Sequence, residues 1–282
     1  MKIIQNIAEM QAASLVARLQ GKSIGFVPTM GALHEGHLSL VRRARAHASL
    51  VVVSIFVNPL QFGPSEDFAR YPRNLQADCA LLETEGVELV FAPSTEQMYP
   101  PGATTVVYVE GLSERLDGRS RPGHFRGVST VVAKLFHIVQ PDCAVFGQKD
   151  AAQVAVLRQM VRDLDMPLEL IVAPIARDAD GLALSSRNAY LSPEERRQAR
   201  VLNRALQKVE ELARSGELNS ERLRSAALFV LGDEPAAVLD YLEIVNADTL
   251  LPVASVGQGA LVAVAATFGA TRLIDNILLP PQ

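Results

Sequence analysis

The chain of 282 residues has only two cysteines and no tryptophan, and its aromatic content is 5%. Cys79 and Cys143 stand far apart, and neither belongs to a CxxC or CxH spacing. A zinc knuckle and a redox dithiol are therefore not indicated, and both thiols read as small apolar residues kept reduced. Long apolar runs are also missing. The longest, around Leu50 to Val57 and Ala260 to Ala266, fall far short of the roughly 18 residues that suggest a spanning helix. The N-terminal MKIIQNIAEMQAASLVARLQ alternates polar and apolar residues at helical spacing and lacks the apolar block of a signal peptide. The expectation is a cytoplasmic protein without a membrane partner. Nor is there an excess of positive charge: the net charge is -4. No general basic field is available for a nucleic-acid backbone, so a nucleic-acid partner is disfavoured.

What is present is globular: 49% hydrophobic and 21% charged residues, near the averages for folded domains. The length favours two domains. Short β-branched runs at 23–27, 50–56, 89–92, 144–146 and 168–173 alternate with amphipathic segments at 36–48, 75–85, 128–139 and 151–163. This is the pattern of βαβ units around a parallel sheet, and the uninterrupted apolar strands imply cover on both faces. Near Ala176 the composition turns polar and turn-rich (RDADGLALSSRNAYLSP), and a charged helix is expected after Pro193. A helix at 221–230 and strands at 241–245, 260–267 and 272–278 complete the reading. The predicted class is α/β, a Rossmann-like parallel sheet flanked by helices, with a smaller C-terminal α+β domain. The boundary divides 1–176 from 177–282.

Five segments can carry chemistry. In VPTMGALHEGHLSLVRRA a strand ends near Val27, turns through Gly31 and enters a helix near Gly36. A helix N-terminus after a strand offers unpaired N–H donors and partial positive charge, which suits phosphate. His34 and His37 are three positions apart and can face one ligand. HEGH is not the HExxH zinc spacing; a structural cap with surface histidines is the plainer alternative. FGQKDAAQV places Lys149, Asp150 and Gln153 at another strand-to-helix junction, where open α/β sheets hold ligands. In LSSRN, two hydroxyls precede the Arg187 guanidinium, a fork suited to phosphate, although Ser-Ser-Arg also reads as a turn, with Ser192 capping the helix that starts at Pro193. FVNPLQFGPSEDFARYPR supplies the neutral amides Asn58 and Gln61, which suit a small hydroxy acid. LDGRSRPGHFRGVSTVVAKLF strings Arg119, Arg121, His124 and Arg126 among glycines. It reads as a basic loop over an anion, or as a solvated loop.

Taken in order, PTMGALHEGH, VSIFVNPLQFGPSEDFARYPR, RPGHFRGVSTVVAKLF, FGQKDAAQ and LSSRN closely resemble the pantothenate synthetases, over roughly residues 22 to 192 and more loosely beyond. More distantly, HEGH and SSR are similar to the nucleotide signatures of the Rossmann-like nucleotidyl transferases and class I aminoacyl-tRNA synthetases. The resemblance implies an ATP-dependent ligase. ATP and pantoate would give pantoyl adenylate and pyrophosphate, and β-alanine would then displace AMP. It also implies that Met30, Gly31, Ala32, Leu33, His34, Glu35, Gly36 and His37 cradle ATP. Gly147, Gln148, Lys149 and Asp150 would join them, with Ala176 and Leu184, Ser185, Ser186 and Arg187. Gln61 and Gln153 would bind pantoate, and Gln61 would also touch β-alanine. Where the family commonly has Met this chain has Leu184, a volume-conserving change.

Catalysis of such a reaction rests on positioning and charge stabilisation, expected from His34, His37, Lys149 and Arg187 with Mg²⁺ on the phosphates. Asp78 is the one outer partner of the metal that comes forward, and a homodimer is implied by the resemblance alone. Two rival readings stay open. One is a nucleotidyltransferase that stops after transferring AMP, which would need more cations around its acceptor. The other is a nucleotide-binding regulatory protein that does not turn over.

Overall fold

The computed structural model describes residues 1–64 and 66–282; Ser65, within the FVNPLQFGPSEDFARYPR segment, lies outside the described residues. The chain divides into two compact units, Met1–Gly147 with Val156–Ala173, and Gln148–Ala155 with Pro174–Gln282.

The first unit is built on a parallel sheet of β1 (Lys2–Ile4), β2 (Ile24–Thr29), β3 (Leu50–Ile55), β4 (Leu89–Phe91), β5 (Cys143–Gly147) and β6 (Glu169–Ala173). Its spatial order is β1-β4-β3-β2-β5-β6, and every neighbouring pair is parallel. Helices α1 (Ile7–Leu19), α2 (Glu35–Arg45), α3 (Leu75–Thr84), α4 (Thr95–Met98), α5 (Asp117–Ser120), α6 (His124–Val139) and α7 (Ala151–Asp163) connect the strands. The inner strands are apolar on both faces because helices cover both: all of Ile24, Phe26, Val27, Val52 and Val53 are fully buried. From β2 the chain proceeds to β3 on one side, and β5 pairs on the other. The strand order therefore reverses at β2, and the crevice beyond the carboxyl ends of β2 and β5 is where sheets of this kind take ligands.

The predicted strands all occur, with ends displaced by no more than three residues. Two features differ. β1 is absent from the sequence reading because three residues show no period of their own; pairing with β4 defines the strand. Helix α6 starts at His124 rather than at 128. The glycines and arginines of RPGHFRG suggest a loop, but Gly127 lies inside the helix. A Cβ there would stand 2.2 Å from the Leu60 carbonyl oxygen, so the missing side chain is what lets α6 pack against the turn after β3.

The second unit contains α8 (Pro193–Ala199), α9 (Val201–Arg214), α10 (Ser220–Gly232) and an antiparallel meander, β7 (Val238–Val245), β8 (Ala260–Phe268) and β9 (Thr271–Leu279). Ser192 caps α8 reciprocally with Glu195, as expected of the serine before Pro193. The long charged helix foreseen after Pro193 is two helices meeting at Arg200. Val201, Leu202, Ala205, Leu206, Val209 and Ala213 recur at helical spacing along α9 and are buried against Val262, Val264 and Leu273. Among the described residues, no helix is long and apolar enough to cross a membrane.

Candidate active site

In the first unit the turn after β2 is held open by its own backbone chemistry. The Thr29 hydroxyl donates to the Ser54 carbonyl (2.7 Å) and accepts from the Gly31 N–H (3.2 Å). Gly31 has φ +83° and Ala32 +51°, a left-handed pair that glycine enters without cost. The Ala32 and Leu33 N–H groups then donate to the two oxygens of Asp78, at 3.0 and 2.8 Å. Asp78 is buried on α3. This carboxylate satisfies donors that would otherwise be orphaned.

His34 is the N-cap of α2. Its Nδ1 accepts from the Gly36 N–H (3.1 Å), and the His37 Nδ1 accepts from the His34 N–H (3.3 Å). The rings lie 4.2 Å apart, centroid to centroid. A neutral imidazole that accepts at Nδ1 carries its proton on Nε2, so both rings present Nε2–H as their donor at the positive end of a helix. The structural reading of the two histidines holds: both cap the start of α2 through Nδ1. Glu35 turns its carboxylate to Arg42, so its own contribution to an anion would come from the backbone.

Beyond β3, Asn58 is 1% exposed and fully engaged. Its Nδ2 donates to the Gln61 Oε1 (3.0 Å) and the Gly127 carbonyl (3.1 Å), and its Oδ1 accepts from the Tyr99 hydroxyl (2.8 Å) and the Leu60 N–H (3.2 Å). Burial pushes the Tyr99 phenol up, which keeps it a donor. The Gln61 Nε2 lies 3.1 Å from the Met30 sulfur, so the first and fourth motifs meet here. Gln61 also borders a cavity of about 770 Å³ that Tyr99, Thr105, Arg121, His124 and Arg126 help to line.

The expected basic loop is largely ordered into helix: Asp117–Ser120 form α5, and His124 opens α6. Arg121 pairs with Glu66 at 2.7 and 2.6 Å and donates to the His124 Nε2 (3.0 Å). His124 Nδ1 donates to the Gln61 carbonyl (2.8 Å), to which Arg121 also donates (3.3 Å). Burial, and then the Arg121 charge, push the His124 imidazole down to about 4. Burial opposes the charge of Glu66, but the Arg121 contact outweighs it and holds the carboxyl below its usual range. The pair is compensated and His124 is neutral, so these residues brace the Gln61 turn.

In the second unit, Gln148–Asp150 form a 3-10 turn that leads into α7, with Gln153 on its first turn. Lys149 Nζ stands 4.0 Å from Asp150. Residues 176–184 form a small hairpin: the Leu184 N–H donates to the Ala176 carbonyl (2.9 Å), and that of Asp178 to Leu182 (2.9 Å). Arg196 clasps Asp178 and Asp180, at 2.6 and 3.1 Å. Ser185 then caps the short helix Ser186–Tyr190, its hydroxyl accepting from the Arg187 N–H (3.3 Å). In the first unit, Gly147 ends β5; a Cβ there would touch nothing nearer than Leu40 at 4.0 Å. Packing does not demand this glycine, and its bare backbone leaves room at the strand end.

The model of one family, described as Pantoate-beta-alanine ligase, matches residues 2–278. The chain belongs to the pantoate–β-alanine ligase family. A pantothenate synthetase of Koribacter versatilis (strain Ellin345) is 61% identical over 279 residues, covering 99% of this chain and 96% of the relative. One of Acidobacterium capsulatum is 62% identical over 290 residues, 99% and 97% of the two chains. Among solved structures, pantothenate synthetase from Thermus thermophilus matches with TM-score 0.94 and 50% identity over all of both chains. Pantoate–β-alanine ligase from Francisella tularensis, complexed with beta-gamma ATP and beta-alanine, matches with TM-score 0.81 and 35% identity over 99% and 97%. The resemblance noted in the motifs thus extends over the whole chain, and its implication of a carbon–nitrogen ligase holds at family level.

Within this ligase fold several residues escape motif reading. Asp78 comes forward from the sequence only as a partner of a metal, whereas both its oxygens hold the Ala32–Leu33 turn. Among the described residues, no group of three or more His, Cys, Asp or Glu side chains gathers as a metal site. Glu66, which compensates Arg121, and the polar pair Asp275–Asn276 on β9 also pass unnoticed. For the latter a signal exists: an Asp-Asn pair interrupts the apolar strand TRLIDNILL, and buried polar groups need partners.

Proposed function

We propose that this chain joins pantoate to β-alanine in two steps on one site. A pantoate carboxylate oxygen attacks the α-phosphorus of ATP; the bond to the bridging oxygen breaks and pyrophosphate departs. The β-alanine amine then attacks the acyl carbon of pantoyl adenylate, the acyl C–O bond breaks, AMP leaves and the amine loses a proton. The observation that carries this reading is the reciprocal His34–His37 cap at the start of α2, which holds both imidazoles at the positive end of the helix that follows β2, a setting that suits the charge growing as pyrophosphate leaves.

ATP takes contacts from Met30 to His37, Gly147 to Asp150, Ala176, and Leu184 to Arg187. His34, His37, Lys149 and Arg187 are its catalytic donors. Gln61 and Gln153 hold pantoate, and Gln61 also meets β-alanine. The fixed amides of Asn58 and Gln61, the compensated Arg121 and the neutral His124 support a small hydroxy acid without a phosphate over a phosphorylated acceptor. Mg²⁺ enters on the ATP phosphates, where it neutralises charge and keeps water and substrate oxygens as ligands. We assign 1–176 to a Rossmann-like domain that binds nucleotide and pantoate, and 177–282 to a smaller C-terminal α+β domain that adds the Leu184–Arg187 contacts to ATP. A cytoplasmic homodimer follows from family likeness and is read by sedimentation.

The test uses purified protein with ATP, Mg²⁺ and pantoate, followed by β-alanine. Pantoate-dependent pyrophosphate release and then amide formation with AMP are expected. Pyrophosphate without amide would make the chain a nucleotidyltransferase. His37→Ala and Lys149→Ala should each lower turnover by about 10²-fold or more, and wild-type rates in either would remove that residue from the catalytic set.

A further inference from the structure

In the middle of β9, Asp275 and Asn276 are 3% and 2% exposed. Their backbones are locked opposite Val264 and Ala263 of β8. Successive strand residues face opposite sides of a sheet, and Leu273 and Ile277 of the same strand pack in the unit's apolar core. Asp275 shares their side, and Asn276 faces the other.

Each side chain is saturated by a different segment of the second unit. The Asn276 Nδ2 donates to the carbonyls of Gln148 (3.0 Å) and Lys149 (2.9 Å), while its Oδ1 accepts from the Gln148 Nε2 (2.9 Å). One amide therefore ties down the turn that carries Lys149. Asp275 accepts both arms of the Arg177 guanidinium, at 2.6 and 2.8 Å, and also its neighbour's N–H from Asn276 (2.8 Å). Arg177 in turn donates to the Gly181 carbonyl (3.1 Å), which fixes the hairpin whose last residue, Leu184, precedes Ser185–Arg187. A buried bidentate pair holds direction as well as distance. Both segments are thus referred to two consecutive residues of a strand paired with β8 along its whole length, a regular element of the kind that keeps a functional constellation within tolerance.

We propose that Asp275 and Asn276 are positioning residues for ATP: through the Lys149 turn and the Arg177 hairpin they set the spacing of the two nucleotide-contacting segments of this unit. The inference rests on the reading that Lys149 and Arg187 contact ATP.

The experiment measures steady-state kinetics of the full-length enzyme for Asn276→Ala, Asn276→Ser and Asp275→Asn, beside Lys149→Ala and Arg187→Ala. Asn276→Ala is expected to raise the KM for ATP tenfold or more, with the KM for β-alanine changed less than twofold. Asn276→Ser, which puts a hydroxyl donor in place of the amide, should recover part of that loss. A merely structural role would lower the thermal midpoint and the amount of active enzyme but leave the KM for ATP alone. If Asn276→Ala does not fold, Asn276→Ser decides. An unchanged KM for ATP in the folded Asn276 variants, with Lys149→Ala or Arg187→Ala impaired, overturns the inference. If neither Lys149→Ala nor Arg187→Ala affects ATP, the underlying site reading fails first and takes the inference with it.

Discussion

Replacing Gly127 by alanine tests how the pantoate side of the site is held. The added Cβ would lie 2.2 Å from the Leu60 oxygen, 2.4 Å from its carbonyl carbon and 2.6 Å from the Gln61 nitrogen, all backbone atoms. Non-bonded carbons rest about 3.5–4.0 Å apart, so α6 and the 59–61 turn must separate by roughly 1 Å. Overpacking of this kind costs about 1–3 kcal/mol. The same displacement strains the Asn58 bond to the Gly127 carbonyl and the His124 bond to the Gln61 carbonyl. A misplacement of ~1 Å at a reacting group lowers rate by about 10²-fold. The expected outcome is a folded protein whose thermal midpoint falls by several degrees. Its kcat/KM for pantoate should drop about 10²-fold, with the KM for ATP changed much less. Gly232→Ala, at a helix end with nothing within 4 Å of the new atom, is the control and should leave both quantities near wild type. A Gly127→Ala enzyme with wild-type kcat/KM for pantoate would refute the claim that this contact sets the position of Gln61.

Two further outcomes follow from the same network and its neighbour. Asp78→Ala removes the acceptor of two backbone donors, each worth about 1–3 kcal/mol when left unsatisfied; chemical denaturation should show a loss of about 2–6 kcal/mol, and the KM for ATP should rise with it. Unchanged stability would mean that the turn finds other acceptors. His124, at about 4 in the folded protein against an ordinary 6.5, stays neutral where the unfolded chain binds a proton. Its stabilising contribution is complete above pH 6.5 and is lost as pH falls towards 4, by about 3 kcal/mol in all. Glu66, held low by Arg121, adds a loss of the same sign as pH falls. His124→Gln should flatten the slope of unfolding free energy between pH 6.5 and 4 by close to one proton, and an unaltered slope would contradict the assignment.

The parts of the protein legible in its sequence are those whose cause is local. Strands β2, β3 and β5 are apolar runs bounded by turns, and α9 repeats its apolar face every three or four residues; both patterns follow from backbone geometry alone. The nucleotide motifs are local as well. The His34–His37 pair, the Lys149 turn and the Ser185–Arg187 segment each lie within a few positions at the end of a strand or the start of a helix, and the chemistry of those residue types points to phosphate. Sequence therefore determined the fold class and the family, and it marked the segments proposed to meet the substrates.

Tertiary structure decided how those segments are held. The start of α6 is hidden in the sequence because Gly127, directly after Arg126, reads as loop until the Leu60 carbonyl occupies the space of its missing side chain. Arg121 and His124 look like a cationic string until Glu66 compensates one and burial neutralises the other. Asp78 grips a turn 45 and 46 positions away, and Asn276 grips one 127 and 128 positions away. No periodicity encodes such pairings. They exist because a buried polar group must find a partner wherever the fold brings one within about 3 Å.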